Sequence, residues 1–306
     1  MQSIKNKYFR RFLSVFTLVS RIPVHASFEP DFSQADFWIP VLSPLVSIIA
    51  IVGFWGGLVL SRSTWIAAGV SIAAQYFIFN LFHFDGFVDT ADAMLPFASA
   101  ERRLEILKDP RAGSYGLFAG LVAFALRTGA IVRLASMSLY IIHQGTSANG
   151  DRGISTAIML ALCVAPLAGR LASVLIPLWT KPARQTGLGA LMKGFSFFRI
   201  LSGTALGLVL SYLLFLGILQ LGTSWSWITC SGLVGVEKWG RGTEVWALYG
   251  LATVAALLSG FSSAAFYAYI YKKNVGGFTG DALGAAIESG EILCLLALAA
   301  VFSIFS

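Results

Sequence analysis

The sequence predicts an all-α integral membrane protein: a polytopic bundle of about seven transmembrane helices, preceded by an interfacial amphipathic helix. Three observations carry this. Of the 306 residues, 57% are hydrophobic and 12% are charged, against about 45–50% and about 25% in soluble domains. The mean hydropathy is +0.76. Several apolar runs approach or exceed the ~20 residues that cross a bilayer as a helix. No soluble domain, internal repeat or low-complexity segment interrupts them, so residues 1–306 read as a single membrane-embedded domain.

The elements follow in chain order. Lys5, Lys7, Arg10 and Arg11 precede a short apolar run, Phe12 to Val19. A secretory signal has this shape, and Val24-His25-Ala26 resembles a cleavage site. Arg21-Ile22-Pro23 breaks that pattern, and an amphipathic helix lying at the inner surface fits better. The expected spans are Trp38 to Leu60, Thr64 to Phe84, Tyr115 to Ile142, Ile154 to Trp179, Arg199 to Leu221, Glu244 to Tyr271 and Ile287 to Phe305. Pro40 and Pro44 in the first, and Pro166 and Pro177 in the fourth, are expected kinks or helix starts.

The formal net charge of +7 would suggest nucleic acid in a soluble protein. Here flanking cations that orient helices explain it better, and no basic-aromatic nucleic-acid motif is present. With the N-terminus inside, the cytoplasmic face takes Lys5, Lys7, Arg10, Arg11, Arg21, Arg102, Arg103, Lys108, Arg111, Lys181, Arg184, Lys193, Arg199, Lys272 and Lys273. The outer face takes Arg62, Arg152, Lys238 and Arg241, with Asp151, Glu237 and Glu244 as its acids. That asymmetry predicts a multi-pass protein of the cytoplasmic membrane, with its chemistry on the cytoplasmic side. Cys163, Cys230 and Cys294 match no zinc spacing and read as packing residues.

Three stretches concentrate polar chemistry. His83-Phe84-Asp85-Gly86-Phe87-Val88-Asp89-Thr90-Ala91-Asp92 places three aspartates at i, i+4 and i+7. In a helix these share one face. Crowded carboxylates repel, and a hydrated cavity or a divalent cation with hard oxygen ligands relieves them. Gly86 lets another group approach closely. An ordinary helix end facing water is the bland reading. Lys108-Asp109-Pro110-Arg111-Ala112-Gly113-Ser114-Tyr115-Gly116 combines two cations with glycines before a span, a plausible phosphate cradle to which N–H groups at the helix start would add. An ordinary positive-inside loop is its plain alternative. Gly276-Gly277-Phe278-Thr279-Gly280-Asp281-Ala282-Leu283-Gly284 puts three glycines before an acid, which suggests backbone hugging a ligand, and Asp281, Glu288 and Glu291 at i, i+7 and i+10 could share a helical face; a glycine turn before a charged helix start is the plain alternative.

Arg127, Arg133 and Arg170 lie inside spans, where cations face the interior and pair with anions. Lys181 and Arg184 add two more beside Gly187 and Gly189. His83 adjoins Asp85 and is either a proton shuttle or a hydrogen-bonded structural residue. His25 and His143 have no evident partners.

In order and separation these stretches, with Ser20-Arg21-Ile22-Pro23-Val24 and Ala183-Arg184-Gln185-Thr186-Gly187-Leu188-Gly189, resemble the cobalamin synthase family, the adenosylcobinamide-GDP ribazoletransferases. The chain departs from that family's pattern in the bulky Phe79-Asn80-Leu81-Phe82, in Pro110, in Pro182 and in Arg127. The resemblance implies that adenosylcobinamide-GDP is joined to α-ribazole or its 5′-phosphate, with GMP released and Mg²⁺ as cofactor. It implies Asp85, Asp89, Asp92 and Asp281 as metal ligands. Asp92 or His83 would be the catalytic base, the choice staying open. Lys108, Asp109, Arg111, Arg170, Arg184, Thr279 and Glu288 would bind substrate. The Asp281 loop is expected to close over the same cavity as the first aspartates. Membrane lipid is an expected partner, and a homo-oligomer or other enzymes of the pathway are open ones.

Two rival readings share some features. A CDP-alcohol phosphotransferase also uses clustered aspartates at a membrane face, but Asp89-Thr90-Ala91-Asp92 replaces its longer pattern. A cation-coupled transporter would place acids at mid-bilayer in two repeats, and no repeat is evident here.

Overall fold

The structure is a computed structural model that describes residues 6–137, 156–192, 194–224 and 242–304. Lys5, His143, Asp151, Arg152, Lys193, Cys230, Glu237, Lys238 and Arg241, named above, and the expected span ends Ile142, Ile154 and Phe305 lie outside the described residues. Among the described residues the regular elements are helical, and one isolated bridge pairs Pro182 with Phe278 in parallel.

The first helix, α1 (Lys7–Val19), starts at Asn6, whose side chain accepts from the N–H groups of Tyr8 and Phe9. It is amphipathic. Phe9, Phe12 and Phe16 stack along one side, and Phe12 meets Trp38 edge-on at 5.4 Å. Arg10 and Arg11 pair with Asp31 and so tie α1 to the next segment.

The helices α2 (Ala35–Val41) and α3 (Ser43–Ser61) form the first span. Pro44 sits in the first turn of α3, where its missing N–H costs nothing. The span starts earlier than the expected Trp38 and takes in Asp36, which is fully buried. A charge can stand there because Arg199 and the N–H of Ser196 neutralise it at 2.7–3.0 Å. Arg62 adopts φ 54° to end α3, and Ser63 caps α4 (Thr64–Gln75), giving a tight hairpin. Gly53 and Gly57 let α4 lie directly against α3.

The expected second span, Thr64 to Phe84, is not one straight helix. A π-helical turn, Tyr76–Asn80, follows α4, and α5 (Leu81–Met94) leaves at 94° to it. Hydropathy alone does not register this turn, because its residues are as apolar as their neighbours. Helices α6 (Ala100–Ile106), α7 (Ser114–Ser136) and α8 (Thr156–Trp179) follow. The apolar stretch of α8 is wholly buried, and it packs against α3, α10, α11 and α12. Pro166 and Pro177 lie within this one helix. The short α9 (Leu188–Leu191) leads to α10 (Phe197–Ser224), α11 (Gly242–Val275) and α12 (Gly280–Phe302).

Among the described residues, six helical segments are long and apolar enough to cross a membrane, or seven if α4 and α5 count as one bent span. The chain is therefore an all-α polytopic membrane protein. The last span begins at Gly280, not at the expected Ile287, so Glu288 and Glu291 lie inside it rather than at its mouth.

Candidate functional site

The aspartate stretch is helical, the condition under which its spacing puts the carboxylates on one face, but the three have different surroundings. Asp85 is exposed, Asp89 is half-buried and Asp92 is buried. Asp92 is committed to α7. Its two oxygens accept from the N–H groups of Gly113 at 2.7 Å and Gly116 at 2.8 Å. A carboxylate thus caps the positive end of α7 from a neighbouring helix, since Gly113 has no side chain to do so. Those N–H groups are therefore engaged within the protein rather than open to a phosphate, and each Asp92 oxygen already accepts one hydrogen bond.

The α12 start meets α5 at the opposite side of the aspartate face. Gly86 packs on Asp281 so closely that a Cβ there would lie 3.0 Å from the Asp281 Cα. Gly284 packs in the same way on the backbone of His83. Asp281 is therefore beside the first cluster, and the charges of Asp85, Asp281 and Asp92 all act on Asp89. Thr279 is buried and donates to Asp281 Oδ2 at 3.0 Å, fixing that carboxylate rather than standing open. Behind it, Thr90 and Tyr271 share a 2.8 Å hydrogen bond that joins α5 to α11.

The loops around this face are joined. Phe278 N–H donates to the Lys181 carbonyl at 2.9 Å, and Ala183 N–H donates to the Phe278 carbonyl at 2.8 Å. Arg184 donates to the Leu104 carbonyl at 2.5 Å, and its charge reaches Asp281. Arg103, buried, donates to the carbonyls of Ala93, Met94 and Ala98 and so closes the end of α5. The stretches around 85–92, 108–116, 181–189 and 276–284 thus gather at one end of the bundle.

Arg111 and Asp109 are turned toward each other. Three donors of Arg111 reach Asp109 at 2.7–3.1 Å. The Arg111 hydrogen bonds hold the Asp109 carboxyl down, to about 2. Both are solvent-facing, as is Lys108.

Three other candidates are placed elsewhere. His83 is buried on the far side of α5, facing a cavity lined by Arg170, Ser173 and Leu283. A spacing of two residues turns a helix by about 200°, so His83 cannot share the face of Asp85. Its Nδ1 has no hydrogen-bond partner. Arg170 and Glu288 are buried in an ion network. Arg170 pairs with Glu291. Arg127 pairs with Glu288 at 3.1 Å and Glu291 at 2.5 Å. Gln75 bonds both Arg127 and Glu291 at 2.8 Å, and Tyr76 donates to Glu288 at 2.8 Å. Arg170 and Glu288, expected on substrate, are thus engaged inside the bundle, and Gln75 and Tyr76 are partners that the sequence motifs do not contain. The available signal was the balance of charges inside spans, two arginines against two glutamates, which demand each other as partners.

Closeness together with the absence of an ion pair marks the site; Glu29 and Glu101 are also without an ion pair but stand apart in sequence from the gathered stretches. Asp31, Asp36, Glu288 and Glu291 are ion-paired. Asp85, Asp89 and Asp281 make no ion pair with any described Lys or Arg. Three hard carboxylates on one surface, none in a direct ion pair, are the donor type a divalent cation takes. As the side chains stand, no three of them among the described residues converge to hold one ion.

A family model described as Cobalamin-5-phosphate synthase matches residues 11–299. A protein of Brevibacillus brevis, named adenosylcobinamide-GDP ribazoletransferase, is 28% identical over 295 residues, covering 94% of this chain and 96% of that one. A protein of the same name from Klebsiella pneumoniae is 29% identical over 297 residues, covering 94% and 99%. Another, from Fervidobacterium nodosum, is 27% identical over 287 residues, covering 94% and 95%. No solved structure matches the chain. With the match running nearly end to end across all the stretches gathered at this face, the chain belongs to the Cobalamin-5-phosphate synthase family.

Proposed function

We propose that the protein is an adenosylcobinamide-GDP ribazoletransferase, joining adenosylcobinamide-GDP to α-ribazole or its 5′-phosphate. The observation that carries this reading is the set of unpaired carboxylates, Asp85, Asp89 and Asp281, brought together by the Gly86–Asp281 contact. The relatives bearing that name support it.

Asp85, Asp89 and Asp281 would hold Mg²⁺. When bound, the cation neutralises the diphosphate and withdraws charge from the leaving phosphate. A hydroxyl of the ribazole attacks the cobinamide-linked phosphorus. The bond from that phosphorus to the bridging oxygen breaks, and GMP leaves. Arg184, beside Asp281, stabilises charge on the diphosphate, and the exposed Lys108 and Arg111 meet it from the loop before α7. The hydroxyl proton passes to a carboxylate of this set. Asp92 is engaged by Gly113 and Gly116, and His83 points away.

The cation asymmetry supports a cytoplasmic membrane location with this face turned to the cytoplasm. The test is direct. Purified protein is incubated with adenosylcobinamide-GDP, ribazole phosphate and Mg²⁺, and GMP release is followed. Turnover should require Mg²⁺ and fall by at least about 100-fold in Asp89→Asn. Absence of GMP release by folded protein would overturn the reading.

A further inference from the structure

The bend between α4 and α5 aims the aspartate face; beyond it α5 is held by Gly86 on Asp281 and by Asp92 on the start of α7, and the bend itself is held elsewhere. We propose that Arg127 is a positioning residue: with Glu288 and Glu291 it locks the bend to α12 and so sets where Asp85 and Asp89 stand relative to Asp281. This rests on the function proposed above.

The geometry closes on itself. Gln75 is the last residue of α4 and Tyr76 the first of the π turn. Both are held to Glu291 and Glu288 of α12, and both meet Arg127 of α7. The Arg127 guanidinium also lies over the Tyr76 ring, 5.2 Å from its centroid. Asp281 is on the same α12, about 10 Å along the axis from Glu288 at 1.5 Å per residue. Past the bend, α5 returns to α12 at Gly86 against Asp281. One helix therefore carries both the lock and one of the site carboxylates, and the lock grips the two residues from which the bend departs.

The side chain chosen suits this task. Nη1 serves Glu288 and Tyr76, while Nη2 serves Glu291 and Gln75. Only a planar fork with fixed donor directions specifies four acceptors at once; a lysine offers a point charge on a flexible stem. Arg127, Glu288 and Glu291 are all essentially inaccessible, at 2%, 0% and 0% exposure. A buried ion cluster contributes little stability compared with an apolar one of the same shape, and a role in specifying geometry is the better-attested reason to keep one.

Three chains decide the matter: wild type, Arg127→Met, and Arg127→Met/Glu288→Met. The single variant leaves a buried glutamate uncompensated. The double variant restores charge balance, with Arg170 still facing Glu291, but it leaves Gln75 and Tyr76 without the Arg127 fork and also removes the carboxylate to which Tyr76 donates. Thermal midpoint, kcat and KM for each substrate, and hydrogen exchange are measured for each. Arg127→Met should lower both the midpoint and kcat, the latter about 100-fold, as for an ångström of misplacement. The double variant should regain midpoint without regaining kcat, with KM for ribazole phosphate within about threefold of wild type. Exchange in 81–94 should rise in both variants, while that in α3 and α11 stays as in wild type. Recovery of midpoint and kcat together, or a uniform rise in exchange, would overturn the proposal and leave Arg127 a stabilising residue only. If wild type itself releases no GMP, the functional reading fails, and the exchange pattern alone still decides this one.

Discussion

Replacing Gly86 by alanine tests whether the α5–α12 contact sets activity. A Cβ at Gly86 would stand 3.0 Å from the Asp281 Cα and 3.1 Å from its carbonyl oxygen. Carbon atoms in ordinary contact stand about 3.5–4.0 Å apart, so the helices must separate by about half an ångström or more. Both partners are backbone, and no rotamer change relieves them. Alanine in place of glycine favours a helix by about 1 kcal/mol, and overpacking costs about 1–3 kcal/mol. The net cost is about 0–2 kcal/mol, so the protein should fold with a midpoint at most a few degrees below wild type. Activity responds differently, because misplacing reacting groups by about 1 Å costs about 100-fold. We expect kcat to fall about 10- to 100-fold, which is about 1.4–2.7 kcal/mol in barrier height. Gly56→Ala is the control, since a Cβ there meets nothing within 4 Å. GMP release per folded molecule, beside thermal unfolding in detergent, reads both effects. Wild-type turnover in Gly86→Ala, or an equal loss in Gly56→Ala, would refute the reasoning.

Asp92→Asn should lower the thermal midpoint, because an amide cannot accept at both of its atoms and one of the Gly113 and Gly116 N–H groups loses its partner, at about 1–3 kcal/mol. An unchanged midpoint would remove its capping role. A cysteine at Ser99, in a chain whose native cysteines are removed, should resist a membrane-impermeant thiol reagent in intact cells and react in inverted vesicles; labelling from outside would reverse the proposed orientation.

What was legible in the sequence, and what was not, divides along the range of the interaction. Hydropathy is a property of each segment, and it located the spans within a few residues at most ends. Helical spacing is likewise local, and it put Asp85, Asp89 and Asp92 on one face. The same spacing could not say what would arrive at that face. Asp92 meets a helix start more than twenty residues downstream, and Asp281 arrives from the far end of the chain. Glycine was the one local sign of those arrivals, since Gly86, Gly113 and Gly116 are each pressed by a partner that a Cβ would displace.

The bend had no local sign, because Tyr76–Asn80 is nearly as apolar as a straight span. Its cause is non-local. Gln75 and Tyr76 are held by α7 and α12, whose contributing residues lie 51 to 216 positions away. Expecting the last span from Ile287 places Glu288 and Glu291 at its mouth, where substrate or water rather than a buried arginine would meet them. Once α12 is seen to begin at Gly280, both glutamates are inside a span, and a buried carboxylate there requires a cation from another span. Arg127 and Arg170 were already known to need anions. The four residues form one charge-balanced problem with one economical solution, and that solution fixes the direction in which α5 carries its aspartates.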